Sequence, residues 1–288
     1  MRIVGETTVA PSRAPRSSRK LLGCWAAALV LLAAGVALAW QFLVPVLRVR
    51  AAVDSVVAEC FADRGAAPAS YYSWDIPEEA GRRAVSDLGG PRSAVSSIRL
   101  VDHLGPRFQP ELFYEVAPGI LGACGKEAVP DLLELVESGD RTGGMAIVAL
   151  GRMGAEEAGP AIMKVLESEA DRHCWPDAAE ALGRLRCGEA VKRLAEILAK
   201  EPEEAPRKAA ALALGRIGDS AAVPVLIAAF LDYRNAQFRP DIAEALVAVG
   251  KPALKPLEAA VAAEKDLTRR QRLKDVIWDI KNPGGRPK

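Results

Sequence analysis

Ala149-Leu150-Gly151-Arg152-Met153-Gly154 returns as Ala181-Leu182-Gly183-Arg184-Leu185-Arg186, as Ala213-Leu214-Gly215-Arg216-Ile217-Gly218 and as Ala245-Leu246-Val247-Ala248-Val249-Gly250, each 32 residues further on. A weaker copy, Ile120-Leu121-Gly122-Ala123-Cys124-Gly125, lies 29 residues upstream of the first, and Ile277 to Asn282 falls one step beyond the last. A fixed period of this size marks a repeat architecture in which each unit is one supersecondary element. In three boxes a Pro follows six residues after the last position, at Pro160, Pro224 and Pro256. Pro fits a first helical turn, where its missing N–H has no intrahelical partner. Each repeat therefore reads as a helix that ends in the box, a Gly-marked turn, and a second helix that starts just before the Pro. The second segments, such as Val191 to Leu198, space their aliphatics at three and four residues, which is the helical period. Trp175-Pro176, Ala205-Pro206 and Arg239-Pro240 mark the starts of boxed helices in the same way.

One such hairpin cannot bury its apolar stripes alone, and stacking against its neighbours removes the problem. Half of the 288 residues are hydrophobic but only 5 % are aromatic, so the core must be aliphatic. The Ala and Gly of the boxes allow close helix approach. The expected fold is all-α, an α-solenoid of helical hairpins.

The box followed by a short turn and a Val-Pro-containing helix resembles the HEAT-repeat family, in particular the HEAT-like repeats of the phycobilisome lyase type. The resemblance covers residues 111–282. It implies a right-handed stack of five to six hairpins whose second helices line the concave side, with Lys164, Lys192, Lys255, Asp131, Glu134 and Glu196 there. Residues 77–104 read as a degenerate capping repeat, 48–76 as a helical stalk and loop (48–110 together), and 283–288 as a flexible tail.

Leu21 to Trp40 is a run of twenty residues without a charge, and its apolar character continues to Leu47. A helix of that length spans a hydrocarbon core of about 30 Å. Arg13, Arg16, Arg19 and Lys20 crowd its N-terminal side. The positive-inside bias then places residues 1–20 in the cytoplasm as a disordered tail, 21–47 across the cytoplasmic membrane as a signal anchor, and the repeats outside. Ala37-Leu38-Ala39 offers an A-x-A match, so cleavage after Ala39 is the competing reading.

The resemblance brings three activities to weigh. Di-iron hydroxylases of the HEAT-like class need paired His-Glu motifs, and the two histidines here sit in His103-Leu104 and His173-Cys174. No metal site is expected, since His173-Cys174 with Cys187 has poor ligand spacing. HEAT-like DNA glycosylases need a basic groove. Beyond Leu47 there are 33 Lys and Arg against 36 Asp and Glu, so no nucleic-acid partner is expected. Bilin lyases share the repeat. The chain shows no Ser-His-Asp set, phosphate loop or carboxylate pair at a defensible spacing, so no catalytic residue, cofactor or small-molecule ligand is assigned.

The expected function is non-catalytic: a membrane-anchored scaffold for protein–protein interaction, with a lyase-like enzyme or enzyme subunit as the alternative. Arg152, Arg184 and Arg216 hold one register and form a ladder. It either clamps acidic partner side chains or pairs with carboxylates of its own repeats, as Glu180 four residues before Arg184 suggests. Trp175, Tyr233 and Phe238 stand in the longer connections, as contact anchors or as covers for their own helix ends. Cys124, Cys174 and Cys187 lie too far apart in such a stack to form a disulfide.

Overall fold

The computed structural model describes residues 40–59, 77–105, 107, 113–139 and 141–283. By internal contacts the chain divides into Met1–Pro45 and Val46–Lys288. Of the first unit, residues 40–45 are described and are helical, with Trp40, Phe42 and Leu43 exposed. The predicted membrane span thus lies mostly outside the described residues. Among those, no helix is long and apolar enough to cross a membrane.

In the second unit residues 46–59 form α1, with Val46, Val49, Ala52, Val53 and Val56 making a buried stripe. The expected stalk is therefore a packed helix over this stretch, and its Glu59 pairs with Arg83. Next come α2 (Glu78–Asp87) and α3 (Pro91–Leu104), a helix pair where the degenerate repeat was read. Five boxed hairpins follow: α4 (Phe113–Ala123) with α5 (Val129–Glu137), α6 (Arg141–Met153) with α7 (Gly159–Glu167), and α8 (Trp175–Arg184) with α9 (Val191–Lys200). The last two are α10 (Glu204–Ile217) with α11 (Val223–Leu231), and α12 (Arg239–Val249) with α13 (Leu254–Ala263). A final helix, α14 (Leu267–Lys281), ends where the sixth box was expected. The described residues hold helices and turns and no strand.

Each boxed helix joins its partner through a short 3-10 turn that ends on a fully buried alanine: Ala128, Ala158, Ala190, Ala222 and Ala253. The turn requires a left-handed residue at the end of the box, and Gly125, Gly154, Gly218 and Gly250 supply it at φ of 67° to 76°. The third box has Arg186 in that place, at φ 51°, an exchange that costs about 1 kcal/mol.

The seams between boxed helices follow one rule. The Gly at the third place of a box faces the Ala at the first place of the next. A Cβ on Gly151 would lie 2.7 Å from Ala181 Cα, one on Gly183 2.8 Å from Ala213 Cα, and one on Gly215 2.5 Å from Ala245 Cα. Without side chains between them these helices approach as closely as backbones allow. Successive second helices touch over far fewer positions. The boxed helices therefore form the close-packed row of the stack, and the Gly-on-Ala seams are the physical reason. The last box carries Val247 at the third place, before the terminal helix α14.

Helix α11, apolar nearly all round, buries Val223, Leu226, Ile227, Ala229 and Phe230. Its composition reflects burial on two sides. Cys124, Cys174 and Cys187 are free thiols, and burial pushes the Cys124 thiol up to about 12.

Candidate partner-binding face

The arginine ladder is partly closed upon itself. Arg184 Nη2 lies 3.0 Å and Arg216 Nη1 3.6 Å from the same Glu180 Oε1, so one carboxylate bridges two repeats. Arg152, one repeat earlier, lines two clefts of the boxed face. Intrachain pairing is thus the reading that the structure supports for Arg184 and Arg216.

Two of the three loop aromatics are buried. Trp175, 2 % exposed, donates its indole N–H toward the carbonyls of Val165 (3.2 Å) and Ser168 (3.1 Å), which closes the end of α7. Arg172 and Arg193 stand over its ring at 5.6 and 4.9 Å. Arg172 also pairs with the buried Glu201. Phe238, 1 % exposed, lies under Arg207 at 5.5 Å. Arg207, itself buried, donates to Asn235 Oδ1 at 2.8 Å, and Asn235 donates to the Ala229 carbonyl at 2.8 Å. These rings cover helix ends and are not displayed as contact anchors, because a large apolar ring gains more from burial than a loop tip offers. The Tyr233 side chain lies outside what is described.

A cleft of about 290 Å³ opens on the boxed face between α4, α6 and α8. Tyr114, Pro118, Met145 and Val148 give it apolar walls, and Arg141, Arg152, His173, Asp177 and Glu180 bring charge. Its origin is local. The seam at Gly122 is wider than the later ones, with the nearest atoms of α6 3.8 Å from where a Cβ would stand. On the α4 side the Tyr114 hydroxyl donates to Asp102 Oδ1 at 2.7 Å, and the Arg141 guanidinium sits 5.2 Å from the Tyr114 ring centre.

Asp177 is the odd member. Burial, with the charge of Glu180 adding to it, pushes its carboxyl up to about 7. The repeat register explains why no cation offsets this. Two repeats later Asp241 is met by Lys208, whose Nζ lies 3.3 Å from Asp241 Oδ2. The residue that corresponds to Lys208 beside Asp177 is Gly144, which has no side chain to offer. A Cβ there would lie 3.2 Å from Asp177 Oδ2 and 3.6 Å from Cys174 Sγ. Among the described residues Asp177 has no ion pair. Sequence reasoning passed over Asp177, Gly144, Tyr114 and Arg141. Laying the repeats over one another at the Lys208–Asp241 pair would have exposed the missing lysine.

Among the described residues no group of three His, Cys, Asp or Glu side chains could hold a metal ion. No curated protein matches the chain. Two family models do: HEAT repeats match residues 176–246 and 191–277, and the PBS lyase HEAT-like repeat matches residues 144–168. These stretches coincide with the boxed hairpins from α6 onward and run into the last turns of α14. The recurring box and the Gly-on-Ala seams agree with these matches, so residues 144–168 and 176–277 carry HEAT-like repeats.

Proposed function

We propose that the chain is a membrane-anchored scaffold that docks a partner protein on its boxed-helix face and carries out no chemistry itself. The observation that supports this most is the cleft between α4, α6 and α8, the place where the seam of small residues widens and leaves a mixed-charge surface. A face with both signs suits a partner with both signs, and binding of this kind depends moderately on salt. Glu244 is exposed on the same row of helices, whereas Lys192 is exposed on the other row.

The test is capture of a cross-linked partner by the full-length chain in detergent. Glu244→Arg is expected to reduce capture at least tenfold and Lys192→Glu to leave it unchanged. The opposite pattern moves the interface to the second helices and overturns this reading.

The anchor is part of the same proposal. Trp40, Phe42, Leu43 and Leu47 are exposed apolar side chains that continue the uncharged run of residues 21–40, and residues of this kind suit lipid and its interface. The repeats then lie outside the cytoplasm. Cys187, half-buried where Cys174 is fully buried, is the thiol that reads this topology. Labelling of Cys187 by a membrane-impermeant reagent is expected once the outer barrier alone is opened. Labelling only after the cytoplasmic membrane is breached reverses the orientation.

A lyase-like role has one observation in its favour, the match of residues 144–168 to the PBS lyase HEAT-like repeat. Visible absorbance of a chromophore bound to the purified chain would favour it.

A further inference from the structure

In two steps of the boxed row, α6–α8 and α10–α12, a carboxylate four places before one box stands beside the residue five places before the preceding box. In the α10–α12 step these are Asp241 and Lys208, an ion pair at 3.3 Å. In the α6–α8 step they are Asp177 and Gly144. The ammonium that completes the first pair is therefore missing from the second, and the cleft of about 290 Å³ opens beside the carboxylate.

We propose that the Gly144–Asp177 cleft is a binding site for a primary ammonium, the lysine side chain of a bound polypeptide, seated where Lys208 sits in the repeat pair that has one. The site is built for a chain with an apolar stem and a cationic end. Tyr114, Pro118, Met145 and Val148 line the walls along which four methylenes can lie, and Asp177 and Glu180 carry the negative charge. Arg141, Arg152 and His173 share the cleft, and among the described residues none of them forms an ion pair with Asp177. Arg184 and Arg216 are drawn to Glu180, and Arg141 lies over the Tyr114 ring. A half-buried carboxylate without an ion pair among the described residues gains more from an incoming ammonium than an exposed one would, because part of its water is already gone. The volume of about 290 Å³ exceeds that of one side chain, which leaves room for the adjoining backbone of the bound segment.

The polypeptide source rests on the scaffold reading; the cation site itself does not. The full-length chain is titrated at pH 8 with Nα-acetyl-lysine methylamide, with its norleucine counterpart and with butylammonium. Two variants are carried alongside. Asp177→Asn removes the charge. Gly144→Lys supplies the internal ammonium and fills the site. The lysine probe is expected to bind at least tenfold more tightly than the norleucine probe, with the preference lost in both variants. Equal binding of the lysine and norleucine probes, or a preference that survives Gly144→Lys, overturns the site. Butylammonium binding as tightly as the lysine probe overturns the polypeptide as its source in favour of a small amine. Failure of the scaffold reading shows separately, as an unchanged partner capture by Glu244→Arg beside an intact lysine preference.

Discussion

Gly215→Ala is expected to destabilise the chain by about 3 kcal/mol, although alanine is the better helix former by about 1 kcal/mol. The added methyl would stand 2.5 Å from Ala245 Cα, 2.7 Å from its Cβ and 3.1 Å from its carbonyl oxygen. The obstacle is backbone on the facing helix, so no rotamer change relieves it. Helices α10 and α12 must separate, and every contact along that seam is stretched with them; overpacking of this sort costs about 1–3 kcal/mol and sits at the upper end where backbone must move. Gly122→Ala is the matched control. Its methyl would meet Ala149 O at 3.8 Å, Arg152 Cβ at 3.9 Å and Ala149 Cα at 4.0 Å, all ordinary contacts. That variant keeps the helix-propensity gain and should be stabilised by up to about 1 kcal/mol. Urea unfolding of the two variants beside the parent chain decides the matter. Shifts of the same sign in both would mean that propensity, and not the seam, governs these glycines.

Asp177→Asn is expected to stabilise the chain at pH 8 by about 2 kcal/mol and to leave it unchanged near pH 4. The native carboxyl holds its proton up to about pH 7, because burial and Glu180 disfavour the charge, whereas in the unfolded chain it gives the proton up near pH 4. Between those values the native state binds more protons than the unfolded state. Stability therefore falls as pH rises through that window, and above about pH 7 the penalty is complete. A displacement of this size corresponds to about 4 kcal/mol, and water in the open cleft reduces it by roughly half. Asparagine has the same shape and no charge, so it lifts the penalty only where the aspartate would be ionised. A stability difference independent of pH between 4 and 8 would show that Asp177 is solvated in the native state. A carboxylate held at such a cost, one glycine away from a lysine that would neutralise it, is what a binding site looks like when it is read through stability alone.

The sequence by itself determined the repeat and most of its geometry. The 32-residue step of the Ala-Leu-Gly-Arg box, the Pro residues in the first turns and the aliphatic period define both helices of each hairpin, since local periodicity and turn chemistry act within one repeat. The box also contained its own packing rule, Gly at the third place and Ala at the first, although the distances that make it a seam appear only when α10 and α12 lie side by side. Only the tertiary structure decided which row of helices is the close-packed one. It also decided that Trp175 and Phe238 are buried under Arg193 and Arg207, and that Glu180 serves two arginines at once. Apart from the local Glu180–Arg184 pair, these contacts join residues 18 to 36 positions apart in the chain, brought together by stacking. The cleft at Asp177 arises from the same cause: Gly144 is a helical glycine in sequence, and becomes an absent lysine only when the next repeat places a carboxylate beside it.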